Sequence, residues 1–281
     1  MTPEELKKVQ QVELELLIEF DRICRKHAIN YSLDGGTLIG AVRHKGFIPW
    51  DDDADVVMTR PEYEKFLAVV ERELDHGRFY FHEIGRTPGY RWGYAKLRRR
   101  DSAFVRLGQE HMPYEQGIFL DIFVADQVPD NYLLRCLCNF HCYVIRKILY
   151  SKVGKYASSA FKRPIYWLLN LIPEKAIKRY YRFYVRFRNR KPTQTVKCIT
   201  FPTSNRYYGY KRKWFEDTMD MAFEGAVLRG SRHYDEYLRF RFGDYMKLPP
   251  VEKRKTHAVS KVSFPPEMEQ DFLTRGYETY G

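Results

Sequence analysis

The sequence predicts an α+β fold in which a mixed β-sheet is flanked by helices, and three observations predict it. Helix, short strand, glycine turn, helix and apolar strand follow one another between Pro3 and Met58. A second apolar run, Ile118 to Phe123, reads as a buried strand carrying a single acid, Asp121. A chain of 281 residues, 44% hydrophobic and 16% aromatic, is long and apolar enough to bury a sizeable core.

The elements can be justified in order. Thr2 and Glu5 form a capping box with Pro3 at the first helical position, and Leu6, Val9, Leu16, Leu17, Phe20 and Ile23 make the apolar stripe of the helix that follows. No signal peptide is expected in an amphipathic opening of this kind. Tyr31 to Leu33 form a short strand that feeds the turn Asp34, Gly35, Gly36. Leu38, Ile39, Ala41 and Val42 then recur at helical spacing, and Gly46 is expected to end that helix. Ala54 and Val56 to Met58 read as a mostly buried strand, Pro61 to Leu74 as a helix, and Trp92, Tyr94, Lys96 and Arg98 as one face of a further strand.

Four aspartates, Asp51, Asp52, Asp53 and Asp55, fall within five residues just before and inside the second strand. Carboxylates so close together repel one another and destabilise the chain unless a cation or strong donors compensate them. A side-chain period of two puts Asp53 and Asp55 on one face, where the pair can hold a hard cation. Magnesium, which takes carboxylate oxygens together with water and phosphate, suits it best, and manganese can stand in its place. Asp51 falls in the preceding turn and Asp52 is expected to point away. A solvated acidic loop or a calcium loop would carry similar residues, although the spacing of an EF-hand is missing. Gly35 and Gly36 let backbone amides approach a phosphate at the mouth of a helix, whose N-terminus favours negative charge. An acid inside the run Ile118 to Phe123 is expensive to bury unless paired or liganded, which marks Asp121. Glycine turn and DxD strand together are the pattern of a nucleotidyltransferase-type palm.

The segment LDGGTLIGAVRHKGFIPWDDDADV, residues 33 to 56, closely resembles the signature of the LicD proteins, relatives of fukutin and the fukutin-related protein. YAKLRR at 94 to 99, GIFLDIFVAD at 117 to 126 and YDEYLRFRFGDYMKLPPVEKRKTH at 234 to 257 support the resemblance in order. Two departures stand out: LRGSRH precedes Tyr234 where the family usually carries a proline, and Phe242 replaces a common tyrosine. The resemblance implies a nucleotidyltransferase-like palm that transfers phosphocholine, or another phospho-alcohol such as ethanolamine, ribitol or glycerol phosphate, from a CDP-linked donor to a glycan hydroxyl. It implies metal ligation by Asp53 and Asp55, with Asp121 as third ligand or as general base toward the acceptor. The resemblance puts Arg43 and Lys96 at positions of phosphate contact, and Gly35, Gly36, Thr37, His44, Arg254 and His257 are the further residues expected to touch substrate. Transfer of a nucleotidyl group is the enzymatic alternative, and a non-catalytic membrane-associated scaffold is the alternative of another class. Three costly carboxylates argue against a scaffold.

The net charge of +12 is concentrated in one stretch. Residues 132 to 190 carry fourteen Lys and Arg against one acid, Glu174, for a net of +13, which leaves −1 for the rest. We therefore expect residues 1 to 130 and 192 to 281 to form the catalytic domain and 131 to 191 a basic, aromatic-rich helical insertion. No apolar run approaches the roughly 20 residues needed to span a bilayer. Tyr and Trp beside Lys and Arg suit helices lying on an anionic membrane surface, where the resemblance also puts a lipid-linked acceptor. A solvated helical cap is the plain alternative, and nucleic-acid binding lacks any recognisable module. The run Cys136, Cys138, His141, Cys142 on one helix points its side chains in several directions, which favours buried thiols over a zinc site. Five cysteines, an odd number, with no secretory signal expected in the opening residues, fit a reducing cytoplasm, so the expected location is cytoplasmic, peripheral at the inner face of the bacterial plasma membrane.

Overall fold

The computed structural model describes residues 1–268. Its first helix, α1 (Pro3–Lys26), opens with the expected reciprocal cap: Thr2 Oγ1 accepts from the Glu5 amide at 3.1 Å while the Glu5 carboxylate takes the Thr2 amide at 2.7 Å. Val9, Val12, Leu16, Leu17, Phe20 and Ile23 are buried without exception and press the helix onto the main core.

β1 (Ser32–Leu33) leads into α2 (Gly35–Arg43), which ends at a His44 cap rather than running on to Gly46. The Lys45 backbone at φ 58° has already left the helical region, so the chain turns before the glycine is reached. β2 (Ala54–Thr59) and α3 (Arg60–Glu73) follow, then β3 (Phe79–His82), β4 (Ala95–Arg99), β5 (Ala103–Arg106) and β6 (Phe119–Val128). The strand expected from Trp92 begins only at Ala95, and the one expected from Ile118 runs on to Val128. β6 is long because it is central: all ten of its residues are buried, with β2 parallel on one side and β4 antiparallel on the other.

The sheet order is β1-β2-β6-β4-β3, with only the β2–β6 pair parallel in that path, so the mixed sheet flanked by helices expected from the sequence is what the chain forms. Its register sets up two rows. Ala54, Leu120 and Leu97 stand opposite one another, fully buried, while one position on Asp55, Asp121 and Lys96 form the adjacent row. Adjacent positions on a strand face opposite sides, so the apolar row seats in the core and the charged row lines the other face.

Beyond β6 come α4 (Tyr132–Ala157), α5 (Arg163–Leu169) and α6 (Glu174–Arg188). Cys138, Cys142, Ile145 and Leu149 of α4 and Ile177, Tyr181 and Tyr184 of α6 join Tyr90 and Ile199 in a second apolar cluster. Cys138 and Cys142 are thus buried thiols, with Cys138 Sγ 3.2 Å from the Tyr184 hydroxyl. β7 (Thr195–Lys197) extends the sheet from the end of β6, and β8 (Tyr210–Lys211) pairs with it. After α7 (Lys213–Glu216), the hairpin of β9 (Thr218–Phe223) and β10 (Ala226–Ser231) packs on α1 and α2. α8 (Tyr234–Phe242) then meets α2, and β11 (Val259–Ser263) returns to pair with β5.

Candidate active site

The charged row is the centre of the site. Lys96 on β4 donates to Asp121 Oδ1 on β6, and its ammonium lies 3.3 Å from the centre of the Phe119 ring. Burial, opposed by Asp121 and reinforced by Arg106 and Arg98, lowers the Lys96 ammonium to about 7. His82 on β3 continues the row opposite Lys96; burial, with Arg98 and Lys96, holds it down to about 3, so the ring is neutral.

Asp55 occupies the first position of the row, and its environment explains the double glycine. Gly35 has φ 52°, a left-handed backbone that favours glycine, and a Cβ there would sit 3.2 Å from Asp55 Oδ2. A Cβ on Gly36 would come within 2.4 Å of Asp51 Oδ2. The turn therefore lets two carboxylates approach the N-terminus of α2, whose first amides have no intrahelical acceptor. Thr37, expected to touch substrate, is buried with its Oγ1 accepting from the Asp55 amide at 2.8 Å, which ties α2 to β2.

The acids are poorly compensated. Burial first, then Asp53, Asp121, Asp34 and Asp51, pushes the Asp55 carboxyl well above its ordinary range, and its Oδ1 is buried without a hydrogen-bond partner. Asp51 is pushed up to about 8 by burial, then by Asp53 and Asp52. Asp53 is raised by burial and held back by His257 and Arg106, the latter with Nη2 3.5 Å from Asp53 Oδ2. Glu13 of α1 completes the set: it is buried, its Oε2 lacks a partner, and burial followed by Asp53 and Asp51 raises it strongly.

Asp52 does not point away. It is 2% exposed and holds His257, accepting from the His257 amide at 2.7 Å and facing its Nδ1 at 2.9 Å. The strand begins only at Ala54, so the period-two reading does not extend back to residues 51 to 53, where the irregular backbone lets side chains converge. Gripped by its Nδ1, the His257 ring turns Nε2 toward Asp53 Oδ2, 3.9 Å away. Asp52, Asp53 and His257 each offer one ligand atom within 4.8 Å of the others. A buried carboxylate on one imidazole nitrogen, leaving the other free beside a second carboxylate, is a donor set suited to a divalent cation. Asp55 and Asp121 do not supply any of those three ligand atoms, but the orphaned Asp55 oxygen and the raised acids leave the neighbouring negative charge without a compensating partner.

The other expected contacts are scattered. Arg43 and His44 sit at the far end of α2, about 12 Å from the glycine turn at 1.5 Å per residue; Arg43 Nη1 donates to the Tyr245 carbonyl at 2.7 Å and its Nε to His44 at 2.9 Å. Arg254 stacks over Trp50, 4.5 Å from the ring centre, and donates to the Pro249 carbonyl. The structure adds residues that the sequence reading missed. Asp34 at the α2 cap is gripped by Arg241 Nη1 at 2.9 Å to both oxygens and by the Tyr237 hydroxyl, both from α8. Arg106 reaches the site because β5 and β11 pair, which also delivers His257. Glu13 carried a readable signal, an acid at the spacing of the apolar stripe Val9, Leu16, Phe20.

A family model described as LicD/FKTN/FKRP, nucleotidyltransferase domain, matches residues 28–135, which contain all four aspartates, Lys96 and Asp121. The chain is 31% identical over 265 residues to the lipopolysaccharide cholinephosphotransferase LicD of Haemophilus influenzae, covering 91% of this chain and 97% of that protein. It is also 23% identical over 145 residues to an uncharacterized protein of Rickettsia prowazekii, covering 52% of this chain and 49% of that one. An uncharacterized protein of Rickettsia typhi is 45% identical over 72 residues, 24% of this chain and 23% of its own.

Proposed function

The chain belongs to the LicD family and is a phosphotransferase, and from that premise we propose that it moves phosphocholine from CDP-choline to a sugar hydroxyl of a cell-surface glycan, with a divalent cation, magnesium by preference, in the site. The observation that carries the reading is the row of Asp55, Asp121 and Lys96 beside a glycine turn at a helix N-terminus. The match over 97% of a cholinephosphotransferase supports phosphocholine as the transferred group.

The residues have separable tasks. Asp53 and Asp55, with His257 oriented by Asp52, are the groups that would hold the cation, and Asp121 joins them or serves as base. A bound cation supplies neutralisation of the negative charge that develops on the donor diphosphate. The acceptor oxygen attacks the phosphocholine phosphorus, a new P–O bond forms, and the bond from that phosphorus to the bridging oxygen breaks. CMP departs with the bridging oxygen, and the acceptor proton passes to the Asp121 carboxylate. Lys96, held against Asp121, steadies charge on that carboxylate. Gly35 and Gly36 allow the donor phosphates to approach the open amides of α2.

The acceptor we propose is a lipopolysaccharide, teichoic acid or capsular glycan, carried on a lipid at the inner face of the plasma membrane. Phosphorus NMR of the purified protein with CDP-choline and a lipopolysaccharide acceptor tests the donor: CMP should appear with magnesium and not after chelation. Parallel trials with CDP-ethanolamine, CDP-ribitol, CDP-glycerol and ATP separate the neighbouring activities, and turnover of one of those in place of CDP-choline refutes phosphocholine as the group transferred.

A further inference from the structure

Among the described residues, fifteen of the twenty-four exposed large apolar side chains lie between Tyr132 and Phe187, which is the stretch of greatest positive charge. No helix of the described residues is long and apolar enough to cross a membrane. The exposed groups are ordered. On α6, Tyr180, Phe183 and Phe187 recur at helical spacing, with Phe183 58% exposed and its ring stacked on Phe187 at 6.4 Å. One position back, Arg179, Arg182 and Arg186 form a parallel exposed stripe.

α4 supplies the other half of the surface. The contacts Cys138 to Tyr184 and His141 to Tyr180, the latter at 2.7 Å, run in opposite chain directions and make α4 and α6 antiparallel. That register sets Leu137, 68% exposed, between the levels of Phe183 and Phe187, and Leu133 and Phe140 lie along the same stripe of α4. The result is a two-helix face with an aliphatic and aromatic centre and an arginine rim. The only acid between residues 132 and 190, Glu174, is paired with Lys178 at 2.9 Å.

We propose that this face of α4 and α6 is a docking surface for the headgroup region of an anionic lipid bilayer. Charge complementarity selects the occupant. A second copy of the chain would bring one +13 surface against another. A single-stranded nucleic acid would use the arginines and aromatic rings, but Leu133 and Leu137 offer it no stacking surface. A bilayer interface takes both components, apolar side chains entering between the headgroups while the arginines meet lipid phosphates. The inference rests on the surface alone and holds whichever group the enzyme transfers.

Vesicle sedimentation of the full chain tests it, with phosphatidylcholine vesicles and with vesicles of phosphatidylcholine mixed with phosphatidylglycerol. Binding to the anionic vesicles, weak binding to the neutral ones and release by high salt is the expected pattern. Arg179→Gln, Arg182→Gln and Arg186→Gln together should lower the anionic partition coefficient on the order of 100-fold. Leu137→Ser with Phe183→Ser should lower binding to the anionic vesicles without shifting the thermal melt, because both side chains are exposed. Absence of vesicle binding, equal binding to neutral and anionic vesicles, binding unchanged in both variants, or concentration-dependent self-association through this face would each overturn the proposal.

Discussion

Asp53 illustrates how a site residue is recognised by its instability. It sits among Asp51, Asp52, Asp55 and Asp121 with one guanidinium 3.5 Å away as its closest cation, an arrangement that selection for stability alone would remove. Asp53→Asn should therefore abolish CMP release from CDP-choline while leaving the melting temperature unchanged or higher, which parallel turnover and thermal-melt measurements will show. Asp52 acts through His257, so Asp52→Asn, which weakens the grip on Nδ1, should lower cation affinity about 10- to 100-fold by titration calorimetry. Asp51 gives a test with a pH signature. Its carboxyl is raised from 3.8 to about 8 in the folded chain, so the native state holds the proton more tightly than the unfolded one and stability is lost as pH rises through that window. In the absence of divalent cation, Asp51→Asn should accordingly gain stability over the parent progressively from pH 4 to 8, and the two denaturation curves should coincide below pH 4. The acids themselves were legible in the sequence because their density has no cheap structural explanation. The roles of Asp52 and Glu13 were not, since one lies in irregular backbone where no period applies and the other hides in a helix stripe otherwise read as core.

The elements that build the site are joined by contacts distant in sequence. Arg241 and Tyr237 of α8 hold Asp34 at the entrance of α2, more than 200 positions away in the chain. Asp34 is buried, with a side-chain exposure of 8% against 14% for Arg241, so Arg241→Leu leaves a buried carboxylate without its cation. It should cost about 3–5 kcal/mol in chemical denaturation. The order of strands and helices in the first half was legible from hydrophobic period and turn chemistry alone. Which strands neighbour one another was not: the opposition of Asp55, Asp121 and Lys96 depends on the parallel pairing of β2 with β6 and the antiparallel pairing of β4, and no local pattern records a register. The end of α2 before Gly46 belongs to the same class, because the β9–β10 hairpin settles where that loop turns: Glu224 of the hairpin accepts from the Phe47 amide at 2.9 Å, and its own amide donates to the Lys45 carbonyl.

At the scale of the whole molecule, two regions of opposite charge share one chain: the acidic cluster at β2 and the arginine and aromatic face on α4 and α6. A ligand that binds only the folded state raises apparent stability by mass action, so magnesium at about 100 times its dissociation constant should add about 2.7 kcal/mol in chemical denaturation. That increment should vanish in Asp53→Asn. The central claim is that the acids before and within β2 hold the cation that makes transfer possible. The most direct measurement is phosphorus NMR of CDP-choline and a lipopolysaccharide acceptor with the parent protein and with Asp53→Asn, each with magnesium and after chelation. We predict growth of the CMP resonance for the parent with magnesium and in none of the other three samples; CMP released at the parental rate by Asp53→Asn, or by the chelated parent, would contradict the account.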